Sequence, residues 1–214
     1  LARLSVVTGA KVARTTRCAA QAMPLYAPVP PTICFGEIAV TPPPGAFLQA
    51  SLEGEAELQA CIGEGVDGAQ SVADLFAGVG TLSLPLVAKG VKILAVEQDR
   101  AALAALKNGA DAAGRGRQVA GRLTNLRSAP LTAAELAKFD AVILDPPRCG
   151  ASAQCAMLAR SHVPRIVMVS CNPASFARDA VLLKDGGYCC DWVQVIDQFR
   201  LNNHIELVGQ FSRI

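Results

Sequence analysis

The stretch DLFAGVGTLSLPL, residues 74–86, joins a strand-like run to a helix-like run through two glycines spaced Gly-x-Gly. This pattern predicts a tight turn between a β-strand and an α-helix. Glycine lets the backbone of such a turn approach a ligand without a Cβ clash, and the first amides of the helix are available to bind it. Ser83 stands where the dinucleotide fingerprint has its third glycine, which disfavours NAD.

An acidic residue at the end of the next strand indicates what kind of ligand the turn binds. The run KILAVE, residues 92–97, predicts the next strand and ends in Glu97, roughly 20 residues after the glycines. An acidic side chain at that position can accept hydrogen bonds from ribose hydroxyls. The glycine turn and Glu97 together predict a site for a nucleoside-bearing cofactor.

Strand-like and helix-like runs alternate on both sides of this turn. The strand-like runs are 71–76, 92–97, 141–145 and 165–170, and the helix-like runs are 52–63, 81–89, 99–113, 151–160 and 174–184. The alternation predicts an α/β fold with a mostly parallel sheet and crossover helices. Two further strand-like segments, 188–196 and 204–211, could close the sheet as an antiparallel hairpin.

The N-terminal part of the chain has a different texture. Residues 1–50 are rich in proline and contain strand-like runs at 4–7 and 32–40. We therefore expect a small β-rich extension over 1–50 and a main domain over 51–214. The first residue is Leu rather than Met, so we also expect the chain to be a fragment or to have lost its start.

Composition limits the remaining function classes. The formal net charge is +2, which is too small to identify a nucleic-acid binder. The apolar runs fall far short of the roughly 18 residues that a membrane span needs, and no secretory signal is evident. The eight cysteines include no Cys-x-x-Cys pair. We expect a cytoplasmic protein with reduced thiols, no membrane association and no metal site in this chain.

The motifs DLFAGVG (74–80), VEQD (96–99) and DPPR (145–148), in this order, resemble those of class I methyltransferases. The segment PPPGAFLQAS, residues 42–51, is similar to the one that precedes the catalytic domain of the RNA uracil-5-methyltransferases. The resemblance implies the class I fold, a mostly parallel sheet with its last strand reversed, and S-adenosylmethionine as cofactor. The residues that it assigns to the cofactor are Gln49, Phe76, Gly78, Gly80, Thr81, Glu97 and Asp145. The family often has Asn where this chain has Thr81. A generic doubly wound domain with an unrelated ligand is the alternative.

The segment VSCNPASFARD, residues 169–179, places Cys171 at the end of a strand. Asn172 suits the N-cap of the next helix and Pro173 suits its first position. A helix N-terminus lowers the pKa of a nearby thiol and raises the thiolate fraction, so we expect a reactive cysteine. The alternative is that Cys171 packs as a small buried hydrophobe.

A carboxylate near the C-terminal end offers a base. Glu206 stands in an otherwise apolar run, where a charge without a purpose is unfavourable. SCNP followed by ARD resembles the nucleophile motif of the uracil-5-methyltransferases, and HIE resembles their base motif. The resemblance implies that Cys171 is the nucleophile and Glu206 the base. The family commonly has Pro and Thr or Ser where residues 201–203 are Leu-Asn-Asn. Glu206 could instead form a surface ion pair with an arginine.

The resemblance implies methylation of carbon 5 of a uridine in ribosomal or transfer RNA. The target base would be single-stranded or flipped out of its helix. The upstream RNA-binding barrel and iron–sulfur cluster that the family often adds are not evident in these residues. Two alternatives stay open: a methyltransferase directed at an exocyclic amine, using Asp145, and a catalytically inactive module that binds RNA or the cofactor.

Overall fold

The computed structural model describes residues 30–198 and 204–213. The strand-like run at 4–7 and the loop residues 201–203 lie outside the described residues. The strands are β1 (Ile33–Phe35), β2 (Ile38–Val40), β3 (Ser71–Leu75), β4 (Lys92–Glu97), β5 (Val119–Leu123), β6 (Ala141–Leu144), β7 (Arg165–Ser170), β8 (Tyr188–Ile196) and β9 (Glu206–Arg213). The helices are α1 (Leu52–Gly65), α2 (Leu84–Val87), α3 (Arg100–Ala112), α4 (Ala133–Leu136), α5 (Ser152–Ala159) and α6 (Pro173–Asp185).

The main sheet has seven strands in the order β5-β4-β3-β6-β7-β9-β8. The pairs from β5 to β7 are parallel, and β9 is antiparallel to both of its neighbours. The prediction of a mostly parallel sheet with a reversed last strand is confirmed, as is the β8–β9 hairpin. The strand order reverses beside β3, and ligands of open α/β sheets bind at such a point, outside the carboxyl ends of the strands.

Helices cover both faces of the sheet. One apolar cluster includes Leu58 and Ile62 of α1 and Leu106 of α3, and the other includes Leu158 of α5 and Leu183 of α6. Residues alternate between the two clusters along a strand, as the pleat requires. The result is three layers, helix on sheet on helix, with the site-bearing loops at the open edge.

The region before α1 belongs to the same core. The predicted run 32–40 is two short strands joined by a turn, in which Gly36 has φ of 60°. A Cβ added at Gly109 of α3 would lie 2.8 Å from the carbonyl oxygen of Ala39. The β1–β2 hairpin therefore packs tightly against α3. The division of the chain at residue 50 stays a prediction.

Three elements differ from the sequence prediction. The helix expected at 81–89 is only the single turn α2, because the residues around it form turns. The short α4, with its Thr132–Glu135 capping box, was missed, and so was β5. Four of the five residues of β5 are exposed, so this edge strand has no apolar run to reveal it. Within the described ranges, no helix is both long and apolar enough to cross a lipid bilayer.

Candidate active site

Residues predicted for the site lie at one edge of the sheet. Phe76, Asp145 and Cys171 directly follow the carboxyl ends of β3, β6 and β7. Because β9 runs in the opposite direction, its first residue, Glu206, lies at the same edge. Ser170 of β7 is paired with Leu207 of β9, so the next positions along this register are those of Cys171 and Glu206. The sheet itself thus brings the predicted nucleophile and the predicted base to the same place.

The turn after β3 has an unusual backbone. Phe76 has φ of 67°, which is rare for a residue with a side chain, and Gly78 and Gly80 have φ of 55° and 89°. The amides of Phe76 and Ala77 both donate to the carbonyl oxygen of Val96, at 3.0 and 3.1 Å. Such strain is a common feature of ligand-binding turns.

The two glycines of this turn serve different purposes. A Cβ added at Gly78 would meet no atom within 4 Å, so the backbone there borders open space that a ligand could fill. A Cβ added at Gly80 would lie 2.7 Å from the side chain of Leu84 and 2.9 Å from that of Leu106. The absence of a side chain at Gly80 is therefore required by the packing of Leu84 and Leu106, and contact of Gly80 with a cofactor stays a prediction.

Glu97 ties the glycine turn to the end of β4. Its carboxylate accepts hydrogen bonds from the amides of Gly78 (2.9 Å), Gln98 (2.7 Å) and Asp99 (2.9 Å). The side chain is half-buried. Glu97 therefore lies at the mouth of the turn, as the sequence predicted, and its contact with a ribose stays a prediction.

Asp74 is a candidate that the sequence reasoning did not assign. It lies within β3, is 1% exposed, and its Oδ2 has no hydrogen-bond partner in the part of the chain that the structure describes. Burial raises the pKa of Asp74 to about 7; the nearby Ser83 hydroxyl opposes the rise, and Glu97 adds to it. An unpaired buried carboxyl oxygen beside an open glycine turn fits a ligand with an ammonium group. A charged residue within an otherwise apolar strand was the available signal.

Gln49 and Thr81 are both buried. Oε1 of Gln49 accepts a hydrogen bond from Nε2 of Gln198 at 2.8 Å. The carbonyl oxygen of Thr81 accepts one from Nε2 of Gln59 at 2.9 Å, which anchors the end of the turn to α1. Contact of Gln49 and Thr81 with a cofactor stays a prediction.

Hydrogen bonds in the loop after β7 fix the backbone next to Cys171. Asn172 caps α6 by accepting from the amide of Ala174 at 3.1 Å, and Pro173 takes the first helical position, as predicted. The side chain of Asn172 also donates to the carbonyl oxygen of Arg148 at 3.0 Å. The Cys171 loop and the Asp-Pro-Pro-Arg loop are therefore joined, with the thiol half-buried between solvent and core.

The expected lowering of the thiol pKa is wrong. Burial, followed by the nearby Glu206, raises the pKa of Cys171; Arg148 opposes the rise and Asp145 adds to it. Burial and the two carboxyl groups together outweigh the lowering effects of Arg148 and of the backbone of Cys171. The thiol therefore needs an acceptor for its proton before it can attack.

Both neighbouring carboxyl groups hold protons more tightly than usual. Burial raises the pKa of Glu206 to about 7, and Gln198 opposes this rise. Burial also raises the pKa of Asp145 to about 8, with contributions from Glu206 and Asp74. Glu206 is only 4% exposed, so the alternative of a surface ion pair does not fit. A carboxylate with a pKa near 7 is well matched to proton abstraction at neutral pH.

A buried aspartate holds the loop after the two prolines. Oδ2 of Asp179 accepts from the amide of Ala151 at 2.7 Å, and Oδ1 accepts from the hydroxyl of Ser152 at 3.1 Å. Arg178 pairs with Asp179 and donates to the carbonyl oxygen of Cys149 at 2.8 Å. The Ala-Arg-Asp sequence of α6 thus fixes the loop that follows Asp145.

A cleft of about 190 Å³ opens beside Phe76. It is lined by the loop after β5, including Leu126 and Arg127, and by residues 149–154. Arg148 directly precedes this part of the lining in the sequence, and nitrogens of its guanidinium lie 3.3 and 3.4 Å from the two ring nitrogens of His204. Among the described residues, no group of three His, Cys, Asp or Glu side chains could hold a metal ion.

Comparison with known families agrees with this geometry. Residues 58–211 match the model of the tRNA (Uracil-5-)-methyltransferase family. The chain belongs to this family. The membership confirms the resemblance seen in the sequence motifs, and the match covers the glycine turn, Cys171 and Glu206 but not Gln49.

Relatives of this tRNA (Uracil-5-)-methyltransferase family member are RNA methyltransferases. An uncharacterised RNA methyltransferase of Mesorhizobium japonicum is 46% identical over 186 residues, which are 87% of this chain and 45% of the relative. The 23S rRNA (uracil(1939)-C(5))-methyltransferase RlmD of Chromohalobacter salexigens is 38% identical over 79% of this chain and 35% of the relative. The chain thus spans less than half the length of these relatives.

A solved structure agrees with the fold. The Pyrococcus abyssi tRNA (uracil-54, C5)-methyltransferase, in complex with S-adenosyl-L-homocysteine, superposes with a TM-score of 0.74 at 26% identity. The match covers 85% of this chain and 44% of that structure. The predicted class I methyltransferase fold is confirmed.

Proposed function

We propose that this chain is the catalytic part of an enzyme that methylates carbon 5 of a uridine in RNA. S-adenosylmethionine would supply an electrophilic methyl group. The observation that carries the proposal is the meeting of Cys171, Glu206 and Asp145 at one sheet edge, beside a glycine turn with open space at Gly78. Family membership and the relatives that act on uracil support the same reaction.

The cofactor fits the residues at this edge. Its ammonium group suits the unpaired oxygen of Asp74, and its ribose suits Glu97. Its bulk suits the open space at Gly78. Phe76 offers an apolar surface beside the cleft. Gln49, Gly80, Thr81 and Asp145 keep their predicted place in the cofactor site on the strength of the family resemblance.

Cys171 would begin the reaction. Its thiol loses a proton, and the sulfur forms a bond to carbon 6 of the uracil, which pushes the ring electrons toward carbon 5. Carbon 5 can then take up the methyl group. Burial and the nearby Glu206 raise the pKa of Cys171, so the thiol must give up its proton before it attacks. This proton would pass to solvent, and Glu206 would stay ionised for the last step.

Glu206 would complete the reaction. Once carbon 5 carries both a hydrogen and a methyl group, a base must remove the proton so that the ring double bond re-forms and the bond to Cys171 breaks. The strand register places Glu206 next to Cys171, and a pKa near 7 makes Glu206 basic enough to take this proton. The products would be 5-methyluridine, S-adenosylhomocysteine and one proton, and Cys171 would leave the ring as a thiolate.

The amine-directed alternative fits the site less well. It requires Asp145 to accept a hydrogen bond from an amino group, for which an ionised carboxylate is best. The pKa of Asp145 is about 8, so at neutral pH this carboxyl group is mostly protonated. Cys171 and Glu206 would also have no role in that reaction.

The test uses single-stranded RNA that contains 5-fluorouridine, incubated with the protein and S-adenosylmethionine. Fluorine cannot leave as a proton, so a covalent protein–RNA adduct should accumulate and migrate slowly on a denaturing gel. Cys171→Ala should abolish the adduct, whereas Cys189→Ala, at an exposed cysteine of β8, should form it normally. Adduct formation by Cys171→Ala, or cofactor binding with no adduct in the wild type, would overturn the mechanism.

A further inference from the structure

Gln198 is a buried glutamine that lies between two of the predicted site residues. Its Nε2 donates to Oε1 of Gln49 at 2.8 Å, and its Oε1 accepts from the backbone amide of Ala50 at 3.1 Å. A side-chain amide has one carbonyl acceptor and two N–H donors. Because the Ala50 amide binds the oxygen, the nitrogen of Gln198 must face the other way. The orientation of the amide is therefore fixed by the backbone.

The other neighbour of this amide is Glu206. The β8–β9 register pairs Ile196 with Glu206, and Gln198 follows two residues after Ile196. The register therefore places Gln198 close to Glu206 in the same hairpin, and its amide lowers the pKa of this carboxyl group, opposing the effect of burial. Gln49 and Gln198 are both 6% exposed, and Glu206 is 4% exposed. One amide therefore connects the glutamine predicted to hold the cofactor with the carboxylate predicted to be the base.

The surroundings of Gln198 leave little freedom to move. A Cβ added at Gly54, in the first turn of α1, would lie 2.6 Å from the Cβ of Gln198 and 3.0 Å from its Oε1. Only glycine fits at that position without a shift. The amide is therefore held by packing as well as by hydrogen bonds, which is what a supporting residue of a catalytic group requires.

We propose that Gln198 is a positioning residue for Glu206 and that, through Gln49, it joins this base to the cofactor side of the site. The inference rests on the proposed function, since it takes Glu206 to be the base. It assigns to Gln198 no contact with the substrate. Its two tasks are to hold the carboxyl group toward Cys171 and to favour the ionised form.

Several other charged or titratable groups lie at the same edge of the sheet as Glu206. Cys171 and Asp145 approach from the ends of β7 and β6, Arg148 lies near Cys171, and His204 precedes Glu206 by two residues. A variant at position 198 leaves all of them in place. Loss of the amide removes a group that favours the carboxylate, so the pKa of Glu206 should rise and the pH at which activity is half-maximal should rise with it.

Gln198→Met tests the inference, because Met has a similar volume and no hydrogen-bonding amide. The matched control is Gln194→Met, at an exposed glutamine of β8 whose side chain donates to the carbonyl oxygen of Val195. Initial rates of methyl transfer are measured from pH 6 to 9 at saturating cofactor and RNA. The covalent adduct with RNA containing ordinary uridine is followed on denaturing gels.

Gln198→Met should lower kcat at pH 7 about tenfold, the effect of losing one well-placed hydrogen bond to a charged group. The half-maximal pH should rise, and the adduct should accumulate because removal of the carbon 5 proton becomes slow. Gln194→Met should match the wild type. If Gln198→Met does not fold, as judged by circular dichroism, Gln198→Asn serves instead: it keeps an amide but cannot span both partners, and the same three changes are expected.

The outcomes separate this inference from the proposed function. A purely structural role would lower kcat equally at every pH without adduct accumulation, and that result, or wild-type behaviour of the variant, overturns the inference while the function stands. A wild-type protein that binds cofactor but forms no adduct with 5-fluorouridine RNA overturns the function, and the inference falls with it.

Discussion

Replacement of Glu206 by Gln should make the protein more stable at alkaline pH, although it removes the proposed base. Glutamate has an ordinary pKa of 4.5, and burial raises that of Glu206 to about 7. Between these values the native protein keeps a proton that the unfolded chain releases, so the free energy of unfolding falls as the pH rises. Each pH unit in this window removes about 1.4 kcal/mol, which amounts to about 3 kcal/mol above pH 7.

Urea unfolding of the wild type and Glu206→Gln at pH 4 and pH 8 measures this difference. Glutamine does not titrate, so the unfolding free energy of the variant does not fall with rising pH through this residue. Relative to the wild type, it should be about 3 kcal/mol more stable at pH 8 than at pH 4. Asp145 adds in the same direction, because the charge of Glu206 contributes to the raised pKa of Asp145. Glu57→Gln, at an exposed residue of α1, is the control and should show no such change.

One result would refute this reasoning. If the difference in unfolding free energy between Glu206→Gln and the wild type were the same at both pH values, then Glu206 would titrate alike in the folded and unfolded states. A base tuned by burial would then be excluded, whatever the effect of the variant on activity. The stability measurement is therefore independent of any RNA substrate.

Three further predictions follow from the same contacts. Glu206→Gln should trap a covalent adduct with RNA containing ordinary uridine, because Cys171 can still add to carbon 6; a denaturing gel without any adduct would contradict this. Gly80→Ala should lower the unfolding free energy by roughly 2–4 kcal/mol in urea, since φ of 89° and a 2.7 Å contact both oppose a Cβ. Gly78 has a φ of 55° but no close contact, so Gly78→Ala should lower the unfolding free energy less and should also weaken cofactor binding measured by calorimetry. Asp179→Ala should destabilise the protein by about 2–4 kcal/mol in the same urea assay, because it leaves a buried amide and Arg178 without their acceptor; an unchanged midpoint would contradict the proposed brace.

The sequence predicted the buried part of the fold well. Strands such as β4 and β7 are continuous aliphatic runs, so their bounds 92–97 and 165–170 matched the structure. The edge strand β5 is mostly exposed and gave no such signal. Short elements were also not predicted, because a single helical turn such as α4 has too few residues to show the hydrophobic periodicity of a helix. What could be predicted was therefore set by how deeply each element is buried.

The sequence predicted which residues form the candidate site, but not how their surroundings shift their pKa values. The motifs pointed to Cys171 and Glu206, and the sheet register brings these residues together. The predicted direction of the shift in the thiol pKa was wrong, because the motif shows the helix that follows Cys171 but neither the burial of the thiol nor the nearby carboxyl groups. Asp145 comes from a strand that precedes Cys171 by more than twenty positions in the printed chain. Electrostatics at a sheet edge depends on neighbours in space.

The same reason explains why Gln198 escaped the sequence reasoning. Its partner Gln49 is separated from it by 149 positions, and no spacing rule joins a residue before α1 to one after β8. The two meet because β8 and β9 return the end of the chain to the edge where α1 begins. Glu206 lies on the reversed strand β9, and through Gln198 it is connected to Gln49, in the segment that precedes the main sheet. If Gln198 positions Glu206, the pairing of β8 with β9 contributes to catalysis as well as to stability, because it brings Gln198 next to Gln49.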